Sequence, residues 1–342
     1  MVEHLETLYG NSIVPKELAH LDDYLLVTNH DAWQLCKGYF QDHPPYDVIM
    51  IRTLDKAELD EIHQNISKGL EFVGLGGGTV LDATKYFAYL NNQVPFLIPS
   101  ITSSNAPFTD FISIQKNGGP FGFKVDGYPK RIMIDYELIG LADKRLNRAG
   151  FGDLLYMQTT LNDWRIMQEK GVGPMVVEEI GEKILEMMDS TIGNVSEIGD
   201  VTDKGIKILM ENTQLSAELY MDNVRMPISA GSEHLFAWNL ERITGKPLIH
   251  GEIVSLGVVI SSFLQSSFLP DSKYQTLRKA LDDAKVIYHP DELGVLWEEI
   301  KTTLLTIEDY NRKIRHFHTV FELIEWDPGV FHRLKDYIYN QG

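Results

Sequence analysis

The sequence predicts an α/β amino-terminal domain built on a parallel sheet, followed by an all-helical carboxyl-terminal domain. Up to about residue 145, short apolar runs alternate with segments of helical periodicity, which is typical of a doubly wound parallel sheet. Beyond that point helical patterns follow one another and strand-like runs almost vanish. A chain of 342 residues is also longer than one core usually supports. We therefore expect two domains, residues 1–145 and residues 146–342.

Four strands and two helices are predicted in the first domain. Each strand is a short apolar run, and the second helix has an acidic start and a basic end that suit the helix dipole. The strands are "DYLLVTN" from Asp23, "YDVIMI" from Tyr46, "EFVGL" from Glu71 and "VPFLIPS" from Val94, and the helices are "DAWQLCKGYF" from Asp31 and "DKAELDEIHQNISKGL" from Asp55. The run from Tyr46 is interpreted as a buried strand, and the alternation predicts a Rossmann-like sheet.

Five helical segments are predicted in the second domain. They are "NRAGFGDLLYMQTTLNDWRIMQEK", "MVVEEIGEKILEMMDSTI", "DKGIKILMENTQLSAELYMDN", "SEHLFAWNLERIT" and "IVSLGVVISSFLQSSFL", the last from Ile253. Serines and a glutamine interrupt this last stretch and no basic flank marks it, so we expect a buried core helix and no membrane span. A cleft at the boundary between two such domains is a usual place for a ligand.

Composition excludes several classes of partner. The formal net charge is -18 and the pI about 5.0, which disfavours nucleic acid and anionic lipid but leaves a small anion possible at a helix end. Cys36 is the single cysteine, so an intrachain disulfide and a cysteine metal cluster are both excluded. The amino terminus lacks the pattern of a signal peptide, and we expect a cytoplasmic protein.

A glycine-rich corner, "EFVGLGGGTVLDATKY" from Glu71, joins the third strand to a helix. Free N–H groups at such a helix start bind anions, and glycine lets a ligand come close. The spacing matches neither the G-x-G-x-x-G fingerprint nor a P-loop. Thr79 is predicted to cap the helix, with Asp82 returning a bond to the cap. The alternative is a tight strand-to-helix turn without a ligand.

Two further groups of polar residues are candidates for a site. Thr102, Ser103, Ser104 and Asn105 follow the fourth strand, where ligands of open α/β sheets bind, although a simple polar turn would look the same. Asp153, His234 and His250 lie in apolar surroundings, and one carboxylate with two imidazoles suits a catalytic divalent ion. Histidines that are merely hydrogen-bonded are the alternative.

The motifs "GGGTVLDATKY", "PSITSSNAP", "AGFGDLL" with "DWR", and "GSEHLF" with "HGE" occur in this order over roughly residues 70–260. Together they resemble the superfamily of iron-type alcohol dehydrogenases, glycerol dehydrogenases and dehydroquinate synthases. "RAGFGDLLYMQTTLNDWRI" and "SAGSEHLFAWNLE…PLIHGEIVSLGVV" are similar to the sn-glycerol-1-phosphate dehydrogenases in particular. The resemblance implies a dehydroquinate synthase-like fold, with a dinucleotide-binding first domain and a metal- and substrate-binding helical second domain.

The resemblance also implies a role for each matching position. Asp153, His234 and His250 would be catalytic and bind one divalent metal, with zinc the first choice and nickel or iron as alternatives. The expected contacts to NAD(P)H are Gly76, Gly77, Gly78, Thr79, Asp82, Thr102 and Ser103, and the expected contacts to the substrate are Asn105, Lys85 and Trp238. The implied reaction passes hydride between the nicotinamide and a small polyol or polyol phosphate, most simply from dihydroxyacetone phosphate to sn-glycerol 1-phosphate. A homo-oligomer is also expected.

Two departures from the family pattern bear on the substrate. Relatives usually carry an aspartate where Asn105 stands and, in the most similar group, a histidine where Trp238 stands. Both changes favour a less charged or differently shaped substrate, or a chemistry that has drifted. Arg52, after the second strand, is either a contact for the 2′-phosphate of NADP or simply exposed. Donors for a substrate phosphate are sought among the nearby basic residues, which are Lys124, Lys130 and Arg131.

Two other functions remain open. One is a cyclase or lyase of the dehydroquinate synthase type, which uses NAD transiently; the aspartate at position 153 disfavours it, because those enzymes carry a glutamate there. The other is a non-catalytic nucleotide-binding protein on the same scaffold, which the retained set of metal ligands disfavours.

Overall fold

The computed structural model describes residues 6–116, 119–125, 129, 131–223 and 226–340. The chain forms two compact units, residues 1–147 with 201–221 and residues 148–200 with 222–342. Residues 201–221 thus pack with the first unit, although they lie beyond the predicted domain boundary at residue 145. That boundary between independently folding domains stays a prediction, because compactness does not measure independent folding.

The first unit contains a six-stranded parallel sheet with the order β1-β8-β5-β4-β2-β3 and a separate antiparallel hairpin of β6 and β7. The strands of the described residues are β1 Thr7–Gly10, β2 Tyr24–Thr28, β3 Asp47–Met50, β4 Glu71–Gly76, β5 Phe96–Pro99, β6 Phe111–Lys116, β7 Gly119–Lys124 and β8 Arg131–Asp135. The predicted parallel α/β architecture is therefore confirmed. In the register of the sheet, Leu26 of β2 lies between Val48 of β3 and Val73 of β4.

Both faces of the sheet are covered, as expected for parallel strands. Leu26 packs into a core cluster on one face, while its neighbours Leu25 and Val27 pack into a cluster on the other. The chain runs outward from β2 to β3 but continues from β4 to β5 in the opposite direction. Ligands of open α/β sheets bind beyond the carboxyl ends of the strands at such a reversal, and the glycine-rich corner follows β4 directly.

Some strands differ from the sequence prediction. The edge strand β1, the strand β8 and the β6–β7 hairpin were absent from it, because runs of four to six residues carry little periodicity. The prediction that the run from Tyr46 is buried was wrong. Residues 47–50 of that run form β3, which pairs on one side only, with β2, and these four residues are half-buried or exposed; Ile51, just after the strand, is buried.

Helices of the first unit cover the sheet. They are α1 Ile13–Leu18, α2 His30–Cys36, α3 Lys56–Gln64, α4 Gly78–Leu90 and α5 Tyr136–Leu141. The helices predicted from Asp31 and from Asp55 begin at side-chain caps, since Asn29 accepts a bond from the Ala32 N–H and Asp55 accepts bonds from the N–H groups of Ala57 and Glu58.

The remaining described chain is helical, as predicted. Its helices are α6 Lys144–Leu154, α7 Tyr156–Glu169, α8 Glu178–Gly193, α9 Val195–Asp200, α10 Asp203–Asp222, α11 Ser232–Thr244, α12 His250–Gln265, α13 Tyr274–Asp283, α14 Pro290–Leu293, α15 Trp297–Leu305, α16 Ile307–Tyr310 and α17 Pro328–Tyr339. Helix α10 joins the core of the first unit through Ile206, Met210 and Ala217. The apolar stretch from Ile253 lies in α12 and is buried almost throughout. Within the described ranges, every helix is too short or too polar to span a bilayer.

Candidate functional site

The glycine-rich corner places free backbone N–H groups at the start of α4. The prediction that Thr79 caps this helix was wrong: Gly77 is the N-cap, and Gly78 and Thr79 occupy the first two helical positions. The N–H groups of these two positions have no hydrogen-bond acceptor within the helix, because the helix has no earlier turn to supply one. Gly77 and Gly78 are half-buried and Thr79 is exposed, so an anion can approach the helix start.

Two of the glycines allow the corner to pack, and two line the helix start. A Cβ on Gly74 would lie 2.4 Å from the Thr84 hydroxyl oxygen and one on Gly76 would lie 2.6 Å from a Val80 methyl, so both are needed where α4 crosses β4. Cβ atoms on Gly77 and Gly78 would instead meet the ends of side chains from the loop after β5, at 3.1 and 3.0 Å. A side chain there would narrow the helix start, which therefore fits the close approach of a cofactor pyrophosphate.

Asp82 and Lys85 form a buried ion pair of 2.8 Å. The Lys85 ammonium also donates to the carbonyl oxygens of Ala106 and Phe111, at 2.9 and 2.6 Å. Burial raises the pKa of Asp82, while the Lys85 charge opposes that rise. Within the chain, the pair holds residues 106–111 against α4. The predicted contacts of Asp82 with the cofactor and of Lys85 with the substrate stay predictions.

The loop after β5 lies beside the glycine-rich corner, because the Ser100 N–H donates to the Gly76 carbonyl at 3.0 Å. Thr102 is buried: its N–H donates to Asn147 Oδ1 at 3.0 Å and its hydroxyl to the Asn147 carbonyl at 2.9 Å. The Thr102 side chain therefore anchors the loop. Ser103, Ser104 and Asn105 remain half-buried, so they are the members of this cluster that a ligand can reach.

The other cationic candidates for the first unit are largely engaged. Arg131 pairs with Glu6 and Glu17 at 2.8 and 2.6 Å, and Lys124 pairs with Asp110 at 3.1 Å. Lys130 lies outside the described residues. Arg52 follows β3 and is exposed, so its predicted contact with a cofactor stays a prediction.

In the second unit the structure brings Asp153, His234 and His250 together. Their potential ligand atoms all lie within 4.8 Å of one another. Asp153 Oδ1 is 3.4 Å from Nε2 of His234 and 3.9 Å from Nε2 of His250. One carboxylate oxygen and two imidazole nitrogens therefore face a common point.

Close helix crossings create this convergence. A Cβ on Gly152 would lie 1.8 Å from the Ser255 hydroxyl oxygen, and one on Gly251 would lie 2.1 Å from the Ala149 carbonyl oxygen. These two glycines let α6 and α12 touch beside Asp153 and His250. Gly257 does the same between α12 and α11, since its Cβ would lie 2.4 Å from a carbonyl oxygen of α11. The glycines in the "FGD" and "HGE" motifs are thus explained by packing.

A second carboxylate lies behind each histidine. His234 Nδ1 donates to Glu233 Oε1 at 3.0 Å, and His250 Nδ1 is 3.8 Å from Glu241 Oε1. Such carboxylate–histidine pairs orient the imidazole so that the other nitrogen presents its lone pair to a metal. Glu233 is fully buried and Glu241 is partly exposed, so the first pair is the better defined.

The buried Glu233 carboxylate is held by the start of α11. It accepts bonds from the Gly231 N–H at 2.7 Å and from the Thr159 hydroxyl at 2.7 Å. The next N–H, of Ser232, donates to Asp163 at 2.7 Å. The amino-terminal end of a helix stabilises negative charge, which accounts for two buried carboxylates at this point. Burial and the neighbouring Glu233 charge raise the pKa of Asp163 to about 7.

The charges in the cluster are coupled. Burial alone would raise the pKa of Asp153 and of Glu233, but the adjacent histidines outweigh it and hold both values below the usual range. Burial alone would lower the pKa of His234, but Asp153 and Glu233 outweigh it and raise that pKa to about 9. At neutral pH, a metal would therefore have to displace a proton from His234.

The residues fit a divalent metal. Asp153 Oδ1 is buried and receives no aligned hydrogen bond from the described residues, although His234 lies at ion-pair distance. A buried carboxylate oxygen without a donor is costly unless a cation completes it. One carboxylate with two imidazoles, at least one of them oriented from behind, is a donor set suited to zinc or iron.

Sequence reasoning missed several residues of this site. Glu233 directly precedes His234 in an apolar segment, and an acidic residue in such a segment could have been predicted to be buried beside the histidine. Glu241 lies seven positions after His234 and so on the same face of α11. Trp238, predicted at the substrate pocket, lies on that face too, and its ring is 5.3 Å from the His234 ring. The guanidinium carbon of Arg315 lies 3.8 Å from the centroid of the Trp238 ring, and no pattern in the sequence pointed to this residue.

No family model matches the chain. The glycerol-1-phosphate dehydrogenase (NAD(P)+) of Thermofilum pendens is 25% identical over 295 residues, which cover 83% of this chain and 80% of the relative. The enzyme of the same name from Saccharolobus islandicus is 28% identical over 307 residues, covering 86% and 84%. The resemblance inferred from the motifs is thereby confirmed.

Solved structures agree on the fold. Glycerol dehydrogenase from Schizosaccharomyces pombe superposes with a TM-score of 0.74 at 16% identity, covering 98% of this chain and 90% of that one. Sulfoacetaldehyde reductase from Bifidobacterium kashiwanohense, in complex with NAD+, gives 0.71 at 14% identity and covers 100% of both chains. The chain therefore resembles glycerol-1-phosphate dehydrogenases over most of its sequence and has the fold of the glycerol dehydrogenases.

Proposed function

We propose that the protein is a metal-dependent NAD(P)H oxidoreductase that acts on a small polyol phosphate, most simply reducing dihydroxyacetone phosphate to sn-glycerol 1-phosphate. The observation that carries the proposal is the convergence of Asp153, His234 and His250 with Glu233 behind the central histidine. The names of the relatives support the same substrate and cofactor. A neighbour of the same fold with NAD+ bound supports a nicotinamide cofactor.

The residues of this chain divide into two tasks. Gly77, Gly78 and Thr79 would hold the cofactor pyrophosphate through the backbone N–H groups at the start of α4. Asp153, His234 and His250 would hold one divalent cation, with zinc the first choice from the donor set. When bound, the cation supplies Lewis-acid polarisation of a carbonyl and the nicotinamide supplies hydride.

Glu233 gives the cluster its orientation. By accepting a hydrogen bond from His234 Nδ1, it leaves Nε2 as the nitrogen that faces Asp153. The bonds from Gly231 and Thr159 hold the Glu233 carboxylate in place, so the imidazole of His234 cannot turn without breaking its own bond to Glu233. The ligands are therefore set before a metal or substrate arrives.

A direct assay tests this function. Purified protein is supplied with zinc or nickel, and the absorbance of NADH and NADPH is followed with dihydroxyacetone phosphate, dihydroxyacetone and simple aldehydes. We expect oxidation of the cofactor with dihydroxyacetone phosphate, lost on chelation. Asp153→Ala, His234→Ala and His250→Ala should each lose bound metal and activity together, whereas the exposed His332→Ala serves as the matched control.

The outcomes separate the alternatives. Full turnover in rigorously metal-free enzyme would contradict the proposal. A dehydroquinate synthase-type reaction would show no net change in the cofactor absorbance. A non-catalytic protein would show no turnover with any substrate, and absence of bound metal in the wild type would favour that reading.

A further inference from the structure

We propose that Arg315 binds the phosphate group of the substrate, with Trp238 as the aromatic surface that holds it beside the metal cluster. This inference rests on the proposed function, because it assigns a residue to the phosphorylated end of the same substrate. All of its elements lie within the second unit.

The geometry places a cation close to the proposed metal ligands. The Arg315 guanidinium carbon lies 3.8 Å from the centroid of the Trp238 ring. That ring is 5.3 Å from the ring of His234, so the guanidinium and a proposed metal ligand both adjoin the same aromatic side chain. Arginine is attracted to the face of a tryptophan ring, and the stacking leaves the edge of the guanidinium open for hydrogen bonds.

One hydrogen-bond donor of Arg315 lacks an acceptor. Its Nε is buried and has no hydrogen-bond partner in the part of the chain that the structure describes. The described residues also place no carboxylate within ion-pair distance of it, in a chain with 49 acidic and 31 basic residues. A buried donor that makes no hydrogen bond is costly, and a negative charge beside the half-buried Arg315 side chain would offset part of that cost.

The segment that carries Arg315 is preorganised. Asn311–Arg315 forms one turn of π-helix, a form that frequently marks functional sites, and His316 follows it with a φ of 60°. The buried Asn311 side chain closes the segment: it accepts from the Phe317 N–H at 2.9 Å and donates to the Phe317 carbonyl at 2.6 Å. The Phe317 ring then packs 6.1 Å from Trp238. The guanidinium is therefore held against the ring by tertiary contacts.

The chemistry selects a phosphate ester. A guanidinium forms two parallel hydrogen bonds to phosphate, and these are stronger than bonds to a neutral hydroxyl. A three-carbon phosphate carries its carbonyl and its phosphate a few bonds apart, which suits a cation one aromatic ring away from the metal ligands. Trp238 thus provides the aromatic surface that positions Arg315.

The first test measures binding without turnover. Orthophosphate is titrated calorimetrically into metal-free protein, and sn-glycerol 1-phosphate into zinc-loaded protein with NAD+, for the wild type, Arg315→Ala, Arg315→Lys and Arg312→Ala. Arg312 lies on the same turn and is exposed, so its removal is the matched control for net charge. We expect Arg315→Ala to weaken both anions roughly tenfold to a hundredfold, Arg315→Lys less, and Arg312→Ala not at all.

The second test measures specificity. In Arg315→Ala, the ratio of kcat/KM for dihydroxyacetone phosphate to kcat/KM for dihydroxyacetone should fall by the factor by which the affinity for phosphate falls. The amount of bound zinc should stay at the wild-type value. Equal phosphate binding by the wild type, Arg315→Ala and Arg312→Ala would overturn the role of Arg315, even if the enzyme reduces dihydroxyacetone phosphate. Arg315-dependent phosphate binding without any turnover would instead support Arg315 and overturn the proposed function.

Discussion

Replacing Glu233 by glutamine should weaken metal binding without unfolding the protein. The amide has nearly the same shape as the carboxylate, and its oxygen can still accept the bonds from Gly231 and His234. The negative charge behind the imidazole is lost, which makes His234 a poorer ligand. Removal of such a carboxylate typically lowers metal affinity about tenfold to a hundredfold, or about 1.4 to 2.7 kcal/mol.

The difference in metal affinity between the wild type and Glu233→Gln should depend on pH. In the metal-free protein the pKa of His234 is raised to about 9, so at pH 7 a metal competes with a proton and its apparent affinity is reduced roughly a hundredfold. Wild-type affinity should therefore rise with pH up to about 9 and then level off. Without the Glu233 charge the pKa of His234 falls, and the variant suffers less competition at pH 7. The affinity gap between wild type and Glu233→Gln should thus be wider at pH 9 than at pH 7.

The assay is competition for zinc against a chromophoric chelator at a series of pH values, with circular dichroism to check folding. Glu241→Gln is the matched control, because Glu241 lies 3.8 Å from His250 and is partly exposed, so a smaller loss is expected. Equal affinities for wild type and Glu233→Gln at pH 9 would refute the reasoning. So would a gap that narrows as the pH rises.

Three further predictions concern packing and buried charge. Gly251→Ala should lower the midpoint of thermal unfolding and the zinc affinity together, because its Cβ would lie 2.1 Å from a backbone carbonyl oxygen of α6; Gly193→Ala, with nothing within 4 Å, should do neither. Lys85→Met should lower the free energy of unfolding in urea by about 3 to 5 kcal/mol, since it leaves a buried carboxylate unpaired. The control, Lys56→Met, breaks the partly exposed pair with Asp60 and should lower the free energy of unfolding by about 1 kcal/mol or less. Equal losses in Lys85→Met and Lys56→Met would contradict the structural role of the Asp82–Lys85 pair. Because the pKa of Asp163 is raised from 3.8 to about 7, its contribution to the free energy of unfolding should fall as the pH rises from about 4 to about 7. Urea unfolding at a series of pH values should show this decrease in the wild type and lack it in Asp163→Asn. The same pH dependence in both proteins would contradict a raised pKa of Asp163.

The architecture could be predicted because its signals are local. Alternating apolar runs and helical periods identify a parallel sheet from β2 to β5, and capping residues such as Asn29 and Asp55 mark where helices start. Four-residue edge strands carry too little pattern to be recognised. The start of α4 was misplaced by two residues because Thr79 is a better intrinsic cap than Gly77, while the close packing of the glycines on the sheet decided the boundary. The subcellular location and the oligomeric state stay predictions.

The sequence by itself singled out the glycine-rich corner and the three residues Asp153, His234 and His250, because each lies in a short motif of unusual composition. Only the tertiary structure determined which groups surround these residues. It buried Lys85 among carbonyl groups and set Glu233 behind His234. It also placed the guanidinium of Arg315 against the ring of Trp238, which lies 77 positions earlier in the sequence and beside His234. The physical reason is range: periodicity and capping act over one or two turns, whereas hydrogen bonds and charge pairs depend on which distant helices touch.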